Sequence, residues 1–572
     1  MTHNKKQDGG LKIFPIGGIE HVTQNMYLYI YGQEILIVDC GIGFPDLQMP
    51  GVDIVIPDIS YLQELLERGY KIAGMMLTHG HDDHIGALPY LIPHLPDFPI
   101  YASKLTAGFA MNRLMDIGST KHIIATTNRE PVQIGQYFRV TPFAITHSVP
   151  DTKHFLIETP VGNIYHGSDF KFDDTPVDGV LPDYAFMDQL KERGIALMLT
   201  DCLGVEKPER VGSESSVGPV LERAMTGARG KILVTLMSSH IHRIVQVMKV
   251  AAKMHRKVAL VGRSVEQNVV TAQELGFLHD DDHVLINKKD IPDYREDELV
   301  LIIAGSQGQE GSSLVRAIYG EHREIVLQAT DRVIFSADAN PGNELTYFGA
   351  IDALSMNKIQ TMYPAINEGI HQSGHARRPE LIELVERIRP HKILPIGGNN
   401  RHRAKYRELV AEPLGYSEQD VITPSEGDIL SLLPDGRIHK VANVSLRPQV
   451  VDGLGIGDVG PVVLSDRRVL GQSGIIIVLI KRYRDQRQAG KVRINKYGFA
   501  LHDMIIISRG FVFMKDADDV IEFIQQRAGE LLMEHHREKR DRCERLIERG
   551  LGRSLYKIIQ REPMIEVEIV DV

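Results

Sequence analysis

The sequence has little that would suit a secreted, disulfide-rich or membrane protein. Its three cysteines are far apart and odd in number, which argues against a disulfide framework and against a CxxC zinc site. No apolar run approaches the roughly 18–20 residues that span a bilayer, and residues 1–11 lack the apolar core of a secretory signal. We therefore expect a protein of the reducing cytoplasm.

The chain also lacks an excess of basic residues. Its 65 lysines and arginines are outnumbered by 75 aspartates and glutamates, which gives a formal net charge of −10. This balance argues against a protein that coats nucleic acid non-specifically. It does not exclude RNA as a substrate, because positive potential confined to a groove is enough for binding.

Length and hydrophobic patterning indicate several domains. The 572 residues exceed what one core accommodates and predict three or more domains. Up to about residue 200, short apolar strands such as 35–39 alternate with turns and helical stretches, of which 85–95 is one. From about residue 211, regular βα units predict a separate parallel-sheet domain. Histidine-rich sequence then returns near His371, before a predicted strand at 393–396, so one domain is interrupted by another.

The strongest chemical signal directly follows a predicted strand and reads THGHDDH at residues 78–84. His79, His81, Asp83 and His84 place four potential ligands within six positions. Neutral imidazoles and carboxylates are the ligands of zinc and similar ions, and this density suffices for two neighbouring sites. The pattern predicts a metal centre at the end of that strand.

Longer segments around this motif resemble the ribonuclease J family. Residues 24–91 are similar almost throughout, and THSVPD at 146–151 and HGSDFK at 166–171 resemble two further metal-ligand segments. The resemblance extends from about residue 10 to the C-terminal EPMIEVEIVDV. It implies an α/β protein in which an αββα metallo-β-lactamase domain is interrupted by a β-CASP α/β domain and followed by a small C-terminal α/β domain. The limits implied are 1–210 and 369–446 for the metallo-β-lactamase domain, 211–368 for the β-CASP domain, 447–465 for a linker and 466–572 for the C-terminal domain.

The resemblance assigns a role to each metal-ligand position. His79, His81 and His147 would hold one ion, Asp83 and His84 would hold a second, and Asp169 would bridge them. Zinc is the expected metal at both sites, with manganese or magnesium as alternatives. Two such cations can activate a water and neutralise charge on a phosphodiester during in-line attack.

A further motif, IHQSGHA at 370–376, resembles the β-CASP segment whose second histidine aids departure of the leaving group. His375 would then be the general acid, a role suited to imidazole near neutral pH. Asp201 matches the acidic residue that orients it. The implied catalytic residues are therefore His375, Asp201 and Asp83.

Other segments of the insert resemble those that line the RNA channel in this family. They include SHIHR at 239–243 and the Gly-rich GSQG at 305–308, where backbone N–H groups can approach a phosphate closely. The predicted RNA-contacting residues are Ser239, His242, Arg243, Ser306, Gln307, Gly308, His371, Ser373, Gly374 and His375.

One position departs from the family pattern. LPIGGNNRH at 394–402 aligns with a stretch that normally reads LPVHGExRH, whose first histidine is the last ligand of the second metal. Gly397 stands there, and it has no side chain. Water could fill the gap and weaken the second site or favour manganese, one metal could suffice, His402 could substitute, or the chain could be an RNA-binding subunit with little activity.

The resemblance implies a metal-dependent ribonuclease of RNA processing and decay. It would act as a 5′→3′ exonuclease on 5′-monophosphate RNA, with endonuclease activity as a further expectation. A homodimer or homotetramer and association with a paralogue or with RNA-decay partners are expected. The rival hypotheses are a weakly active RNA-binding subunit, motivated by Gly397, and a small-molecule hydrolase of the same fold, for which the β-CASP motif has no evident use.

Overall fold

A computed structural model describes residues 9–45, 49–340, 342–447, 449–453, 455–456, 459–484, 492–511 and 517–572. The chain divides into two compact units. One comprises residues 1–44 and 55–449, and the other comprises 45–54 and 450–572. The predicted linker, 447–465, falls partly outside the described residues. Among those that are described, no helix is both long and apolar enough to cross a membrane.

Two stacked sheets form the framework of the larger unit, and their facing sides bury a shared core. Tyr29 and Leu36 from one sheet pack with Phe138, Phe155 and Leu199 from the other. The eight-stranded sheet has the order Ile438–Asn443, Asp428–Leu432, Leu11–Pro15, Tyr27–Tyr31, Glu34–Val38, Lys71–Leu77, Ile100–Ala102 and Ile123–Ala125. The six-stranded sheet has the order Lys392–Ile396, Ile195–Asp201, Gly162–His166, Lys153–Thr159, Phe138–Ala144 and Val132–Ile134.

Helices cover the outer faces of these sheets, as an αββα arrangement requires. Phe186 and Leu190 of one helix and Leu384 of another pack with Phe143 and Met198 of the six-stranded sheet. The helices of this part are Ser60–Glu67, Asp82–Ile85, Leu88–Leu91, Lys104–Met115, Tyr184–Arg193, Arg378–Ile388 and Asn400–Tyr406.

A six-stranded, wholly parallel sheet is inserted between residues 201 and 392 of this framework. Its central strands are buried on both faces, as in Leu299–Ile303, where every residue is buried, and such strands read as continuous apolar runs. The strand order is Leu285–Ile286, Lys257–Val261, Leu299–Ile303, Ile232–Thr235, Arg332–Phe335 and Gln360–Met362. The helices are Val217–Met225, Ile241–Lys253, Arg263–Glu274, Ser313–Ile318 and Glu344–Met356.

The chain returns to the first domain after this insert. Strand Ile195–Asp201, before the insert, pairs in parallel with Lys392–Ile396, after it. Gly204 and Arg377 form a further parallel bridge, so the two connections lie side by side. The predicted interruption of one domain by another is therefore confirmed.

The smaller unit contains a three-stranded sheet with helices on one face. Ile475–Arg482 is central, antiparallel to Ile505–Arg509 and parallel to Met564–Asp571. Burial alternates along the central strand, and its buried residues pack against helices Ala517–His535 and Arg540–Ile559. A further helix, Pro461–Ser473, precedes the sheet. This arrangement matches the predicted small α/β domain.

The predicted helix at 85–95 is wrong. Two short α-helices, Asp82–Ile85 and Leu88–Leu91, are followed by a 3₁₀ turn at Ile92–His94. Pro89 and Pro93 lack the backbone N–H that the interior of a continuous helix needs, and each stands at the start of a new helical segment, where that N–H is not required. The consequence is a compact, winding segment after the metal motif.

Candidate metal centre and active site

The metal motif forms a tight corner between a strand and a short helix. Strand Lys71–Leu77 ends one residue before Thr78, and His81 is the N-terminal cap of helix Asp82–Ile85, with extended backbone angles. This corner allows no bulk beside it, because a Cβ on Gly41 would lie 1.6 Å from the Asp83 carbonyl oxygen. The glycine therefore permits the loop after strand Glu34–Val38 to approach the motif closely.

Four of the predicted ligands converge in a first cluster. His81 Nδ1 lies 3.1 Å from both His79 Nε2 and His147 Nε2. Asp169 Oδ2 lies 3.7 Å from His79 Nε2 and 3.8 Å from His147 Nε2. All four side chains are buried. Three imidazole nitrogens and one carboxylate oxygen within 4.8 Å of one another are a donor set that fits zinc.

A second cluster shares Asp169 with the first. His84 Nε2 lies 3.4 Å from Asp169 Oδ2 and 3.7 Å from Asp83 Oδ2. Asp83 is the most exposed member, since about 20% of its side chain is accessible. This donor set has two carboxylates and one imidazole, so it is richer in oxygen than the first and fits harder cations such as manganese better.

A second layer of hydrogen bonds orients the ligand imidazoles. Asp39 Oδ2 lies 2.7 Å from His84 Nδ1 and accepts from Thr78 Oγ1 at 2.8 Å. Asn25 Nδ2 lies 3.2 Å from His84 Nε2, the nitrogen that faces Asp83 and Asp169, so Asn25 adjoins the predicted ligand atom itself, unlike Asp39. The Nδ1 atom of His147 lies 2.7 Å from the Gly374 carbonyl oxygen. Such partners fix the ring orientation of metal-bound histidines.

Sequence reasoning missed Asn25, Asp39 and Thr78. All three lie in or beside the segments that carry the family resemblance, and a buried Asp at the end of a strand, as in ILIVD at 35–39, was the available signal. Asp39 has a left-handed backbone with φ of 62°, which marks it as a constrained position.

Burial and mutual repulsion set the charge state of the first cluster. Burial and the neighbouring imidazoles hold the pKa of His79 well below its usual value. Burial likewise lowers the pKa of His81 to about 3 and that of His147 well below its ordinary range. Neutral imidazoles are the form that binds a metal ion.

The Asp169 carboxylate, unlike the imidazoles around it, is held in its charged form. Burial alone would raise its pKa, but His375, His84 and His79 outweigh burial and hold the pKa well below its usual value. Asp169 is therefore an anion at the shared corner of the two clusters. Burial raises the pKa of Asp83 to about 6.

His375 lies next to the metal-ligand clusters and is oriented by Asp201. Its Nδ1 is 2.8 Å from Asp201 Oδ2 and its Nε2 is 3.9 Å from Asp169 Oδ2. Burial would lower the pKa of His375, but Asp201 and Asp169 outweigh it and raise the pKa to about 9. The imidazole is held as a cation with Nε2 towards the clusters.

Gly397 opens onto the same carboxylates. It follows strand Lys392–Ile396, and its φ of 65° is left-handed. A Cβ placed there would have Asp201 Oδ1 at 3.8 Å and Asp169 Oδ1 at 3.9 Å as its nearest atoms. The position therefore has room for a side chain beside the second cluster.

His402 does not fill that room. Its Nδ1 accepts from the Asn399 backbone N–H at 3.2 Å, and its Nε2 lies 3.0 Å from an Arg401 nitrogen and 3.6 Å from Glu206. The idea that His402 substitutes as a ligand finds no support in this geometry.

A cavity of about 320 Å³ adjoins both clusters and the insert. His81, Asp83, Asp169 and His375 line one side of it. Of the predicted RNA-contacting residues, Ser239, Ser306 and Gln307 line the other side. Phe109 and Arg113 from helix Lys104–Met115 also line it and were not predicted. The predicted metal ligands and segments of the inserted domain thus line one and the same cavity.

Four further predicted RNA contacts, Gly308, His371, Ser373 and Gly374, do not line the cavity. Gly308 packs against Thr346, where a Cβ would lie 2.1 Å from the carbonyl oxygen. Ser373 Oγ accepts from the His375 N–H at 3.1 Å, and Gly374 contacts His147. His371 Nδ1 lies 2.6 Å from an Arg243 nitrogen.

His242 and Arg243 are turned away from the cavity. His242 is buried 3.1 Å from Asp178. Arg243 is fully buried in an ion pair with Glu214. Their side chains are engaged within the protein, which the sequence pattern alone did not indicate.

The two-sheet fold and the converging imidazoles and carboxylates define a metallo-hydrolase of the metallo-β-lactamase type. Residues 20–199 match the family model described as metallo-beta-lactamase superfamily. Three further models match: "Ribonuclease J, beta-CASP domain" over 229–354, "Zn-dependent metallo-hydrolase RNA specificity domain" over 363–424 and "Ribonuclease J C-terminal domain" over 462–572. The chain belongs to the ribonuclease J family, whose members are metal-dependent ribonucleases.

Curated relatives are similar over nearly the whole chain. Ribonuclease J of Mycolicibacterium smegmatis is 32% identical over 564 residues, covering 99% of this chain and 98% of the relative. Ribonuclease J of Thermus thermophilus is 33% identical, covering 98% and 95%. Ribonuclease J2 of Bacillus subtilis is 29% identical, covering 99% and 100%.

A solved structure shares the fold of the larger part of the chain. The crystal structure of a protein of unknown function from Enterococcus faecalis covers 74% of this chain and 100% of its own, with a TM-score of 0.52 and 18% identity.

Proposed function

We propose that the chain degrades RNA in the 5′→3′ direction from a 5′-monophosphate end, with internal cleavage as a second activity. The observation that carries the proposal is the single cavity in which the ligand clusters and His375 face Ser239, Ser306 and Gln307. The direction and the preference for a monophosphate rest on the resemblance to the ribonuclease J family.

The donor sets fit metal ions at both clusters. His79, His81, His147 and Asp169 would hold one ion, and Asp83, His84 and Asp169 would hold a second, with zinc preferred in the first and manganese or magnesium as alternatives in the second. When bound, such ions supply an activated water and neutralise charge on the phosphodiester.

The residues of the chain itself would orient the substrate and supply the proton. Asp201 holds Nδ1 of His375 at 2.8 Å, so Nε2 is the atom free to donate a proton to the departing 3′-oxygen of the cleaved bond. Asp201 and Asp169 keep the imidazole protonated near neutral pH, which is what a general acid requires. Ser239 and Ser306 would supply polar groups for phosphates from the cavity lining. The Gln307 amide in the same lining bonds to the Asp338 carbonyl and the Asn340 N–H, and Ser373 and Gly374 belong to the loop that carries His375.

A weakly active RNA-binding subunit is the second candidate, and Gly397 is the observation that favours it. The second cluster has three protein ligands where a side chain at 397 would add a fourth, so its metal would be bound less tightly. We further propose the domain limits given above, a cytoplasmic location, a homodimer or homotetramer, and association with a paralogue or other RNA-decay proteins.

The decisive test uses RNA with a 3′ label and a 5′-monophosphate, with 5′-hydroxyl RNA as the matched substrate. Purified protein would be assayed with zinc, manganese and magnesium, alongside His81→Ala. Metal-dependent release of mononucleotides, faster from the monophosphate end and lost in His81→Ala, is expected. Binding of RNA without cleavage under every metal condition would instead establish the binding-subunit alternative.

A further inference from the structure

Arg243 makes an unusually complete set of contacts for a residue in the inserted domain. It lies on helix Ile241–Lys253 and its side chain is fully buried. Its Nε donates to Glu214 Oε1 at 2.9 Å and one Nη donates to Glu214 Oε2 at 2.5 Å. A guanidinium matches a carboxylate in this two-point geometry, and lysine cannot reproduce it.

The remaining donors of Arg243 reach the segment that carries His375. One Nη donates to the Ser336 carbonyl at 2.7 Å and lies 2.6 Å from His371 Nδ1. The other donates to the Gln372 carbonyl at 3.3 Å. The five N–H groups of Arg243 have five acceptor atoms on four residues, so no donor is left for RNA.

The partner of Arg243 is tied to the metal ligands from the other side. The Glu214 N–H donates to Asp173 Oδ2 at 2.8 Å, and the Asp173 N–H donates to Thr146 Oγ1 at 3.1 Å. Thr146 immediately precedes His147. Lys171 Nζ, 3.4 Å from Asp173 Oδ2, completes a buried set of two cations and two anions. The network thus joins the inserted helix, a metal-ligand segment and the His371–His375 loop (residues 371–375).

We propose that Arg243 is a positioning residue: through Glu214 and the carbonyls of Ser336 and Gln372 it fixes the His371–His375 loop, and thereby His375, against Asp169 and Asp201. Arg243 then acts on turnover without touching RNA. The inference rests on the proposed function in taking His375 as the proton donor. A loop displaced by about 1 Å costs on the order of 10²-fold in rate when a reacting group moves with it.

The test compares the same arginine-to-lysine change at two buried positions. Arg243→Lys removes the two-point ion pair and the loop contacts. Arg256→Lys is the matched control, because Arg256 is also buried but donates only to the carbonyls of Ala228, Gly230 and Leu299. Each change is made in the wild-type chain and in His375→Ala, and kcat and KM are measured on 5′-monophosphorylated RNA.

We expect Arg243→Lys to lower kcat by about 10–100-fold with KM changed less than about threefold. In His375→Ala the same change should cost less than about twofold, because residues that act through one another are not additive. Arg256→Lys should leave kcat within about twofold in both backgrounds. Equal losses in both backgrounds, or a loss confined to KM, would overturn the inference, the second by indicating an RNA contact.

A different result would show that the proposed function itself is wrong. If His375→Ala itself leaves kcat unchanged, the assignment of His375 as proton donor fails whatever Arg243 does. A measurement independent of turnover then decides the positioning role. In histidine-labelled protein, the NMR signal of His375, identified by its loss in His375→Ala, should shift in Arg243→Lys and not in Arg256→Lys. An unshifted signal overturns the proposal.

A milder variant serves where Arg243→Lys does not fold. Ser336→Ala removes only the hydrogen bond from Ser336 Oγ to the Ile370 carbonyl, 2.6 Å long, at the start of the same loop. It should lower kcat less than Arg243→Lys and, like it, only when His375 is present. A loss that persists in His375→Ala would contradict the proposal.

Discussion

The two ligand clusters share Asp169 but are built differently. The first has three imidazoles that are buried and neutral, and the nitrogens of two of them lie 3.1 Å from a nitrogen of the third. The second has one imidazole, the partly exposed Asp83 and an open position at Gly397. Metal affinity depends on the number, type and rigidity of the donors. We therefore expect a metal ion to bind more tightly at the first cluster than at the second.

Removing a ligand from the first cluster should have the largest effect. His81→Ala takes away the nitrogen that both other imidazoles approach, and we expect the cleavage rate to fall on the order of 10³-fold or more, since metal activation supplies several kcal/mol. Metal content by mass spectrometry and RNA turnover measure it. His94→Ala, an exposed histidine in the same region, is the control and should change neither. Retained turnover in His81→Ala would mean that the first cluster is not the reaction centre.

Adding a ligand to the second cluster should reduce the difference in metal affinity between the two clusters. Losing one outer partner typically costs 10–100-fold in metal affinity, so a new ligand in Gly397→His should raise the affinity of the weaker site by about tenfold or more. Calorimetric titration with manganese measures this.

Gly397→Ala is the matched control for that substitution. Both variants carry the cost of a side chain in left-handed backbone, roughly 1–2 kcal/mol of unfolding free energy, but alanine supplies no donor. Equal affinities in the two variants would show that position 397 does not face the second metal.

Removing a hydrogen-bond partner of a ligand imidazole should increase the difference in metal affinity between the two clusters. Asp39→Asn exchanges the carboxylate beside His84 Nδ1 for a neutral amide, and the second metal should bind about tenfold more weakly, because that carboxylate orients and strengthens the imidazole donor. The first site should change less. Asp97→Asn, at an exposed ion pair with Lys121, should leave both affinities unaltered. Parallel losses at the two sites would argue that Asp39 supports the whole corner.

The smallest expected effect concerns the His375 imidazole. In metal-free protein its pKa is raised to about 9 by Asp201 and Asp169, against burial, and Asp201→Asn should lower it. Because the folded-state pKa is raised above its ordinary value of 6.5, the stabilisation from His375 is complete below about pH 6.5 and disappears as the pH rises through about 9. An NMR titration of the two proteins measures both values. An unchanged pKa in Asp201→Asn would separate Asp201 from His375.

The sequence predicted which imidazoles and carboxylates would cluster, because that depends on residue type. It did not predict which side chains point into the cavity and which point into the protein. The imidazoles and carboxylates that the sequence after strand Lys71–Leu77 predicts as metal ligands, such as His79, do lie together in the structure. Whether a basic side chain points into a groove is decided by tertiary packing, so Arg243, one residue after His242 in a segment similar to RNA-binding ones, is buried against Glu214.

The fold was predictable for the same reason and to a similar extent. Buried parallel strands such as Leu299–Ile303 appear as uninterrupted apolar runs. The regular alternation of such runs with helical segments from about residue 211 marks the inserted domain. Helix continuity after the metal motif depended on whether Pro89 and Pro93 would break it, and they do. Outer partners such as Asp39 come from a different strand, and spacing along the chain carries no signal for them.

The bridge between His147 and Gly374 has a consequence for biosynthesis. The two residues are 227 positions apart, and strand Lys392–Ile396, which completes the six-stranded sheet beside Ile195–Asp201, is made later still. A nascent chain leaving the ribosome therefore carries most of the predicted metal ligands before the residues that support them have been made. We expect the candidate centre to be completed only after the inserted domain and strand Lys392–Ile396 have been synthesised and have folded.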